Sequence, residues 1–303
     1  MKVLLIDVDS KIPNLALMKL SSWHKARGDT VGFRIRDPDK VYISCIFEKN
    51  KPQALGRAGI FNCPVEVGGY GVSDVKLPEE IEHLCPDYSL YGIHYSMGFT
   101  SRGCIRSCPW CIVPKVEGKV RDHAPLTEFL RHGRVILLDN NFLASPTCNE
   151  NLHLLIAWKT EVNFNQGLDI RLVDSHVAKL LRQVKYYDSD FKDRRLYFAF
   201  DLPEVEIDVL RGIRTLEEAG IPRSHLMFYV LTGFNTTIQE DLHRVQVLEK
   251  LKVLPYIMVY NDRKELKLQQ HLERWVNGLY YQVCSFQDYD HGDSQRFIKE
   301  AFS

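Results

Sequence analysis

Disulfide frameworks, membrane-spanning runs and an excess of one charge are all missing from this 303-residue sequence. Its eight cysteines are too few for a disulfide scaffold. Its apolar runs, such as residues 135–138, fall far short of the roughly 18 to 20 residues that cross a bilayer, so we expect no membrane partner. Thirty-nine Lys and Arg balance thirty-nine Asp and Glu, so the net charge does not indicate a nucleic-acid partner.

The composition that is present is that of an ordinary globular protein. Hydrophobic residues make up 45% of the chain and charged residues 26%, and the length suffices for about two domains. The first apolar stretch meets an acidic residue, Asp7, after only a few positions. We therefore expect no export signal, a cytoplasmic location and reduced thiols.

Residues 1–92 alternate strand-like and helix-like segments. Strands are predicted at residues 2–7, 31–35, 40–47 and 65–67, and helices at residues 14–25 and 78–84. Such alternation favours a small, doubly wound, parallel Rossmann-like domain.

Residues 93–261 continue the same alternation with cleaner strands. These strands are predicted at residues 98–103, 135–138, 161–165, 196–200, 225–231 and 254–259. Amphipathic stretches between them are long enough for crossover helices, and the chain is too short for eight units. The α/β pattern therefore predicts a partial (β/α)6 TIM-type barrel. Residues 262–303 carry apolar residues at helical spacing and are expected to form a helical segment that closes the barrel.

Three of the eight cysteines, Cys104, Cys108 and Cys111, lie within eight residues in the pattern C-x3-C-x2-C. The other five are scattered, as is typical of small core hydrophobes. Three thiolates on one loop can hold a cubane iron-sulfur cluster and leave one iron open to an external molecule. Zinc is the alternative, with His94, Cys85 or Cys63 as a fourth ligand, although zinc sites more often pair two C-x2-C motifs.

Residues 99–121, with Trp110 just before the third cysteine, resemble the cluster loop of radical S-adenosylmethionine (SAM) enzymes. Further segments resemble the second, third, fifth and sixth strands of that family: residues 138–144, 165–171, 229–234 and 255–261. The resemblance implies a [4Fe-4S] cluster on the three cysteines, with SAM chelating the open iron. It also implies reductive cleavage of SAM to a 5′-deoxyadenosyl radical that acts on an unidentified substrate, with flavodoxin or ferredoxin as reductant.

The same resemblance implies SAM contacts at the strand ends. The candidate residues are Trp110, Asp139, Asn140, Asn141, Gln166, Asp169, Arg171, Asp201, Val230, Thr232 and Gly233. The residues from Asp139 to Asn141 would meet the amino group, Arg171 the carboxylate, and Asp201 the ribose. Trp110 and the backbone of residues 230–233 would flank the adenine. No catalytic residue beyond the cluster is assigned.

Several of these residues have structural alternatives. The polar run from Asp139 to Asn141 could be only a strand end, since Asn and Asp favour turns. Asp169 and Arg171 have the same parity on one predicted strand and could pair with each other. Asp201 could cap the segment that begins at Pro203.

Residues 1–92 also resemble the cobalamin-binding-type Rossmann domain that precedes the radical core in one branch of the family. That branch ligates cobalt through Asp-x-His-x-x-Gly. Here the two Asp-x-His pairs, at Asp174 and Asp241, are followed by Lys and Gln in place of Gly, and both lie outside the front domain. The cobalt ligand is therefore missing, and cobalamin is not expected.

Two other functions stay open at this stage. A methylthiotransferase that modifies RNA or protein would need a second cluster, and Cys45, Cys63 and Cys85 are loosely spaced for one. A non-catalytic iron-sulfur or zinc module would bind metal without turning over SAM. Formation of 5′-deoxyadenosine separates this module from the enzyme.

Overall fold

A computed structural model describes residues 1–73, 75–260 and 265–302. Asn261, which ends the predicted sixth-strand segment, lies outside the described residues, as do residues 262–264 of the predicted closing segment. The strands are β1 (Lys2–Asp7), β2 (Thr30–Gly32), β3 (Lys40–Ser44), β4 (Val65–Gly68), β5 (Ser96–Gly98), β6 (Ser101–Arg102), β7 (Arg121–Asp122), β8 (Arg134–Leu137), β9 (Glu161–Phe164), β10 (Lys185–Tyr186), β11 (Leu196–Ala199), β12 (Leu226–Thr232) and β13 (Leu254–Val259).

The helices are distributed along the whole described chain. They are α1 (Leu15–Lys25), α2 (Lys51–Ala58), α3 (Glu79–Glu82), α4 (Val113–Val116), α5 (Leu126–Phe129), α6 (Cys148–Ala157), α7 (Ser175–Gln183), α8 (Glu206–Glu218), α9 (Ile238–Lys250), α10 (Lys267–Asn277) and α11 (Ser294–Phe302). None of the helices in the described part of the chain is long and apolar enough to cross a bilayer.

The chain divides into two compact units, each made of two stretches of sequence. The first comprises Met1–Phe99 and Ala124–Ile136, and the second comprises Thr100–His123 and Leu137–Ser303. The predicted domain boundaries at residues 92 and 261 stay predictions.

The first unit is built on a parallel sheet with the strand order β2-β1-β3-β4. Alternate residues of β1 enter two different core clusters, because successive side chains of a strand point to opposite faces. Val3 and Leu5 pack with Leu17 of α1, whereas Leu4 packs with Ala54 of α2. The α/β class with parallel strands is therefore confirmed for this unit.

The second unit contains a parallel sheet with the order β11-β12-β13 and a parallel β9-β10 pair. Along β12 every second residue, from Leu226 to Thr232, is buried, and the residues between them are half-buried. Helix α9 packs against β12 and β13, and α10 packs against β13. One face of the sheet therefore belongs to the core, and the other carries the side chains of Met227, Tyr229 and Leu231.

The predicted strand at residues 98–103 is wrong as a single element. Strand β5 ends at Gly98, and the short β6 begins at Ser101 and pairs antiparallel with β7. The strand breaks because the backbone amides of Thr100 and Ser101 donate to the carboxylate of Asp139, at 3.1 and 2.6 Å. A side chain distant in sequence thus takes the place of a strand partner.

A buried ion pair joins the ends of two strands in the second unit. Arg244 of α9 pairs with Asp241, and both side chains are fully buried. The same guanidinium donates to the carbonyl oxygens of Phe200, just after β11, and Leu231, near the end of β12, at 2.7 and 2.9 Å. The arginine thus satisfies two backbone acceptors, of which the one at Phe200 is in a fully buried hydrogen bond.

Replacing Arg244 by Met should lower the free energy of unfolding by about 3 to 5 kcal/mol, since Asp241 would keep a buried, unpaired charge. Urea denaturation measures the change. The double variant Arg244→Met with Asp241→Leu removes both charges and should be less destabilised than the single variant. Equal destabilisation of the two variants would contradict a role for the pair.

Candidate functional site

The cysteine loop lies between β6 and β7 and is closed at its base by backbone contacts. The amide of Cys104 donates to the carbonyl of Gly118 at 3.2 Å. Gly103 has a φ of 78°, and a Cβ there would lie 2.2 Å from the carbonyl oxygen of Lys119. Only glycine fits this approach, so Gly103 is a geometric requirement of the loop.

All three cysteines of the loop are free and half-buried. Within residues 1–73, 75–260 and 265–302, however, no three His, Cys, Asp or Glu side chains are grouped as ligands of a metal ion. The loop therefore supplies three accessible thiols in sequence without preassembling them. Burial raises the pKa of Cys108, while the nearby positive charge of Arg171 acts in the opposite direction.

Asp139 holds the base of this loop. Its carboxylate accepts four hydrogen bonds, from the backbone amides and the hydroxyls of Thr100 and Ser101, at 2.6 to 3.1 Å. Burial raises the pKa of Asp139, and these hydrogen bonds oppose that shift. The side chain is thus engaged in anchoring, and a contact from its backbone to the SAM amino group stays a prediction.

Asn140 and Asn141 continue from Asp139 toward the loop. Asn140 Nδ2 donates to Glu117 Oε2 at 2.8 Å, and that same oxygen accepts the amide of Gly103 at 3.1 Å. Asn141 Nδ2 lies 3.5 Å from Cys104 Sγ, and its buried Oδ1 has no hydrogen-bond partner among the described residues. An acceptor without a partner therefore lies beside the first thiol.

Asp169 and Arg171 pair with each other, as the structural alternative predicted. Arg171 Nε donates to Oδ1 at 2.7 Å and its Nη2 to Oδ2 at 3.2 Å, and Arg106 Nε donates to Oδ2 at 2.9 Å. The predicted strand is wrong as the reason for this pair. Asp169 precedes a 3-10 helix at Ile170–Leu172, and this turn brings the two side chains together. Although burial favours the neutral acid, the two arginines lower the pKa of Asp169.

The residues predicted to flank the adenine are Trp110 and the backbone of residues 230–233. Trp110 meets Phe234 edge to face with centroids 5.6 Å apart. The side chain of Val230 is fully buried, so only its backbone is available to a ligand. Thr232 Oγ1 is buried without a hydrogen-bond partner in the described chain, and Gly233 has a φ of 75°. The end of β12 thus offers an unused hydroxyl and a turn that favours glycine.

Asp201 does not cap the segment after it. The 3-10 helix Pro203–Val205 has Leu202 at its N-cap and no side-chain cap hydrogen bond. Burial raises the pKa of Asp201 to about 6, while Arg244 and the backbone of Leu231 act to lower it. Contact with a ribose stays a prediction.

Gln166 lines a cavity of about 540 Å³ on the free face of the β11-β12-β13 sheet. Its lining residues are Asn165, Gln166, Tyr197, Met227, Tyr229, Tyr256 and Met258. Sequence reasoning placed Gln166 among the SAM contacts and did not single out the tyrosines and methionines. Their alternation along three strands is the pattern that could have revealed them.

Several anchoring residues were also missed: Thr100, Ser101, Arg106, Glu117, Asp241 and Arg244. Hydroxyl, acidic and basic residues next to a glycine-bounded loop are common in any sequence. Only their long-range partners, Asp139 for the hydroxyls and Asp169 for Arg106, distinguish them. Pattern alone therefore carried no signal for the residues of the loop, whereas Asp241 and Arg244 have the i, i+3 spacing of an ion pair on one helix.

No family model matches the chain, and no curated protein matches it. The resemblance to radical SAM enzymes thus stands on the motif residues themselves.

The donor set nevertheless fits an iron-sulfur cluster and SAM. Cys104 Sγ already accepts hydrogen bonds from the amide of Arg106, at 3.3 Å, and from Asn141, and hydrogen bonds to sulfur are a means by which proteins tune such clusters. The partnerless atoms Asn141 Oδ1 and Thr232 Oγ1 belong to strand-end segments expected to contact SAM.

Replacing Asp201 by Asn should stabilise the protein at neutral pH. Because the pKa of Asp201 is raised to about 6, its ionisation above that pH disfavours the folded chain. We expect the free energy of unfolding at pH 7.5 to increase by about 1 to 3 kcal/mol, and the gain to shrink as the pH falls toward 5. Denaturant unfolding at several pH values measures it. The exposed control Asp190→Asn should change little, and a gain that grows toward low pH would contradict the burial of Asp201.

Proposed function

We propose that this protein is a radical SAM enzyme, which binds a [4Fe-4S] cluster through Cys104, Cys108 and Cys111 and cleaves SAM reductively. The observation that carries the proposal is the first thiol of the loop, which accepts hydrogen bonds from Arg106 and Asn141 beside a buried acceptor without a partner. A thiol packed only as a core hydrophobe has no need of such donors.

The finer architecture belongs to the same proposal: a Rossmann-like front domain, and a partial (β/α)6 barrel that carries the site. An isolated parallel bridge between Leu168 and Phe198 supports the barrel, because it continues from the segment after β9 to β11. The amide of Leu168 donates to the carbonyl of Tyr197 at 2.7 Å in the same place. This pairing favours one continuous, curved sheet that joins the strands β9 and β10 to the strands β11, β12 and β13.

The residues of the site divide into anchors and ligand-binding groups. Asp139 and Glu117 hold the loop, and Asp169 holds Arg106 and Arg171 together beside Cys104. When bound, the cluster and SAM supply the one-electron chemistry.

Arg171 can bind the SAM carboxylate without leaving Asp169. Its Nε and Nη2 face that aspartate, and its Nη1 has no hydrogen-bond partner among the residues described. Asp169 would thereby orient the guanidinium toward the ligand. A fixed guanidinium binds a carboxylate with more geometric specificity than a lysine does.

The partners follow from the chemistry. A one-electron reductant such as flavodoxin or ferredoxin would reduce the cluster, and an organic substrate would receive the radical. We propose a cytoplasmic enzyme that does not use cobalamin.

Anaerobic reconstitution should load about four irons per chain, the content of one cubane. Replacing Cys104, Cys108 and Cys111 together by Ala should abolish the iron and its charge-transfer absorption. The matched control replaces the other three half-buried cysteines, Cys63, Cys85 and Cys284, and should keep the full content. Loss of iron in the control, or tight zinc in the wild type, would refute the assignment.

The reduced, reconstituted protein should convert SAM to methionine and 5′-deoxyadenosine, measured by chromatography. Arg171→Lys should weaken SAM binding by about 1 to 3 kcal/mol, the scale of a charged hydrogen bond, and leave the cluster spectrum unchanged. Arg195→Lys, whose Nη1 donates to the carbonyl of Ser224, is the control and should bind SAM normally.

If Arg171→Lys bound SAM with wild-type affinity, Arg171 would not bind the SAM carboxylate and would only pair with Asp169. A full iron content without 5′-deoxyadenosine would favour a non-catalytic iron-sulfur module.

A further inference from the structure

The free face of the β11-β12-β13 sheet carries three tyrosines that are not among the expected SAM contacts, next to Gln166, which is one of them. Tyr197, Tyr229 and Tyr256 alternate with buried core residues, so all three stand on the same face. Tyr256 is 38% exposed and the neighbouring Met258 is 50% exposed. Large apolar side chains grouped in a concavity of about 540 Å³ are typical of a small-molecule site.

The geometry of the three rings suits a flat ligand. Tyr197 and Tyr229 are nearly parallel, at 10° with centroids 5.8 Å apart, and Tyr229 meets Tyr256 at 89° with centroids 5.7 Å apart. The perpendicular rings of Tyr229 and Tyr256 form a corner. The strand register, which pairs these two residues across β12 and β13, fixes its position. A planar ring can therefore stack on one face of the corner and meet the other edge to face.

The polar groups of the cavity are unused. The hydroxyls of the three tyrosines and the carboxamides of Asn165 and Gln166 have no hydrogen-bond partner within the described residues. Burial raises the pKa of Tyr229 and raises that of Tyr197 to about 12, so both hydroxyls remain donors at neutral pH. The carboxamides supply both donors and acceptors.

The side chains that line the cavity are uncharged, being Tyr, Met, Asn and Gln only, and the charges of Asp188, Asp190 and Arg195 act on Tyr197 from outside this lining. A charged ligand group would lose its hydration there without gaining a counter-charge. The ligand that fits is thus neutral in the part that enters, flat, and hydrogen-bonding at its edge.

We propose that this cavity binds the substrate of the enzyme, and that the bound part is an uncharged heteroaromatic ring bearing an amide-like edge. One of the two perpendicular rings of Tyr229 and Tyr256 stacks on its face and the other meets it edge to face, while Asn165 and Gln166 bind its polar edge. The assignment of this ligand as substrate rests on the proposed function, whereas the binding itself does not.

Binding of neutral lactams to the full-length, oxidised protein tests the site without SAM or reduction. The probe is isoquinolin-1(2H)-one, and piperidin-2-one, which has the same amide edge on a saturated ring, is its matched control. Titration calorimetry should show saturable binding of the aromatic lactam, with the saturated lactam at least about tenfold weaker.

Variants locate the binding. Tyr229→Leu should weaken the aromatic lactam about three- to tenfold, whereas Tyr229→Phe should stay within about threefold of wild type. Gln166→Leu should weaken it about fivefold through loss of a hydrogen bond. Tyr280→Leu, which removes a partly exposed tyrosine outside the cavity, should have no effect.

SAM binding and 5′-deoxyadenosine formation are measured separately on the same reconstituted variants. Unchanged SAM affinity in Tyr229→Leu, together with the expected weakening of lactam binding, supports a substrate site. A parallel loss of SAM affinity would assign the cavity to SAM itself and overturn the proposal, as would equal affinity for the two lactams or no saturable binding. Lactam binding without 5′-deoxyadenosine would keep the ring site and refute the radical enzyme.

Discussion

The side chain of Asp139 is buried, and its carboxylate accepts four hydrogen bonds from two consecutive residues, Thr100 and Ser101. Such a group is costly to bury and is stabilised only if all of its bonds are made. The position of the cysteine loop follows from this, because only Arg102 separates the two donors from Gly103 and Cys104. Glu117, which binds both Gly103 and Asn140, repeats the same linkage at the other side of the loop.

The same solution recurs at the ends of the neighbouring strands. Asp169 holds two arginines next to the first thiol, and Arg244 binds backbone carbonyls beyond β11 and in β12. Ligands of α/β sheets bind at the carboxyl ends of parallel strands. Here charged side chains, and not loop backbone alone, determine the shape of those ends. Of these ion pairs, the one between Arg244 and Asp241 is fully buried, whereas the two arginines on Asp169 stay partly exposed.

Sequence periodicity predicted strands whose bounds depend on local burial, and it failed where a strand is interrupted by a partner distant in sequence. Strand β13 has the predicted bounds, and β9 and β11 each differ by one residue, because alternation or an apolar run reports burial directly. The predicted strand across residues 98–103 failed because Asp139, far along the chain, takes its amides. Within the site, the pair of Asp169 with Arg171 was one of the predicted alternatives, but a turn and not the predicted strand brings the two side chains together, and the contribution of Arg106 depends on the folded loop.

Strand β12 contributes to both the core and the cavity. Phe228 and Val230 face the helices and are fully buried, while Met227 and Tyr229 face the cavity. A slip of one residue in the pairing of β12 would exchange these two sets and expose the core, so hydrophobic burial itself specifies which rings line the cavity. Because Tyr229 is opposite Tyr256 in that register, the ring corner is built by the same force that folds the sheet. The arrangement of the tyrosine rings on this face is therefore preorganised by the fold.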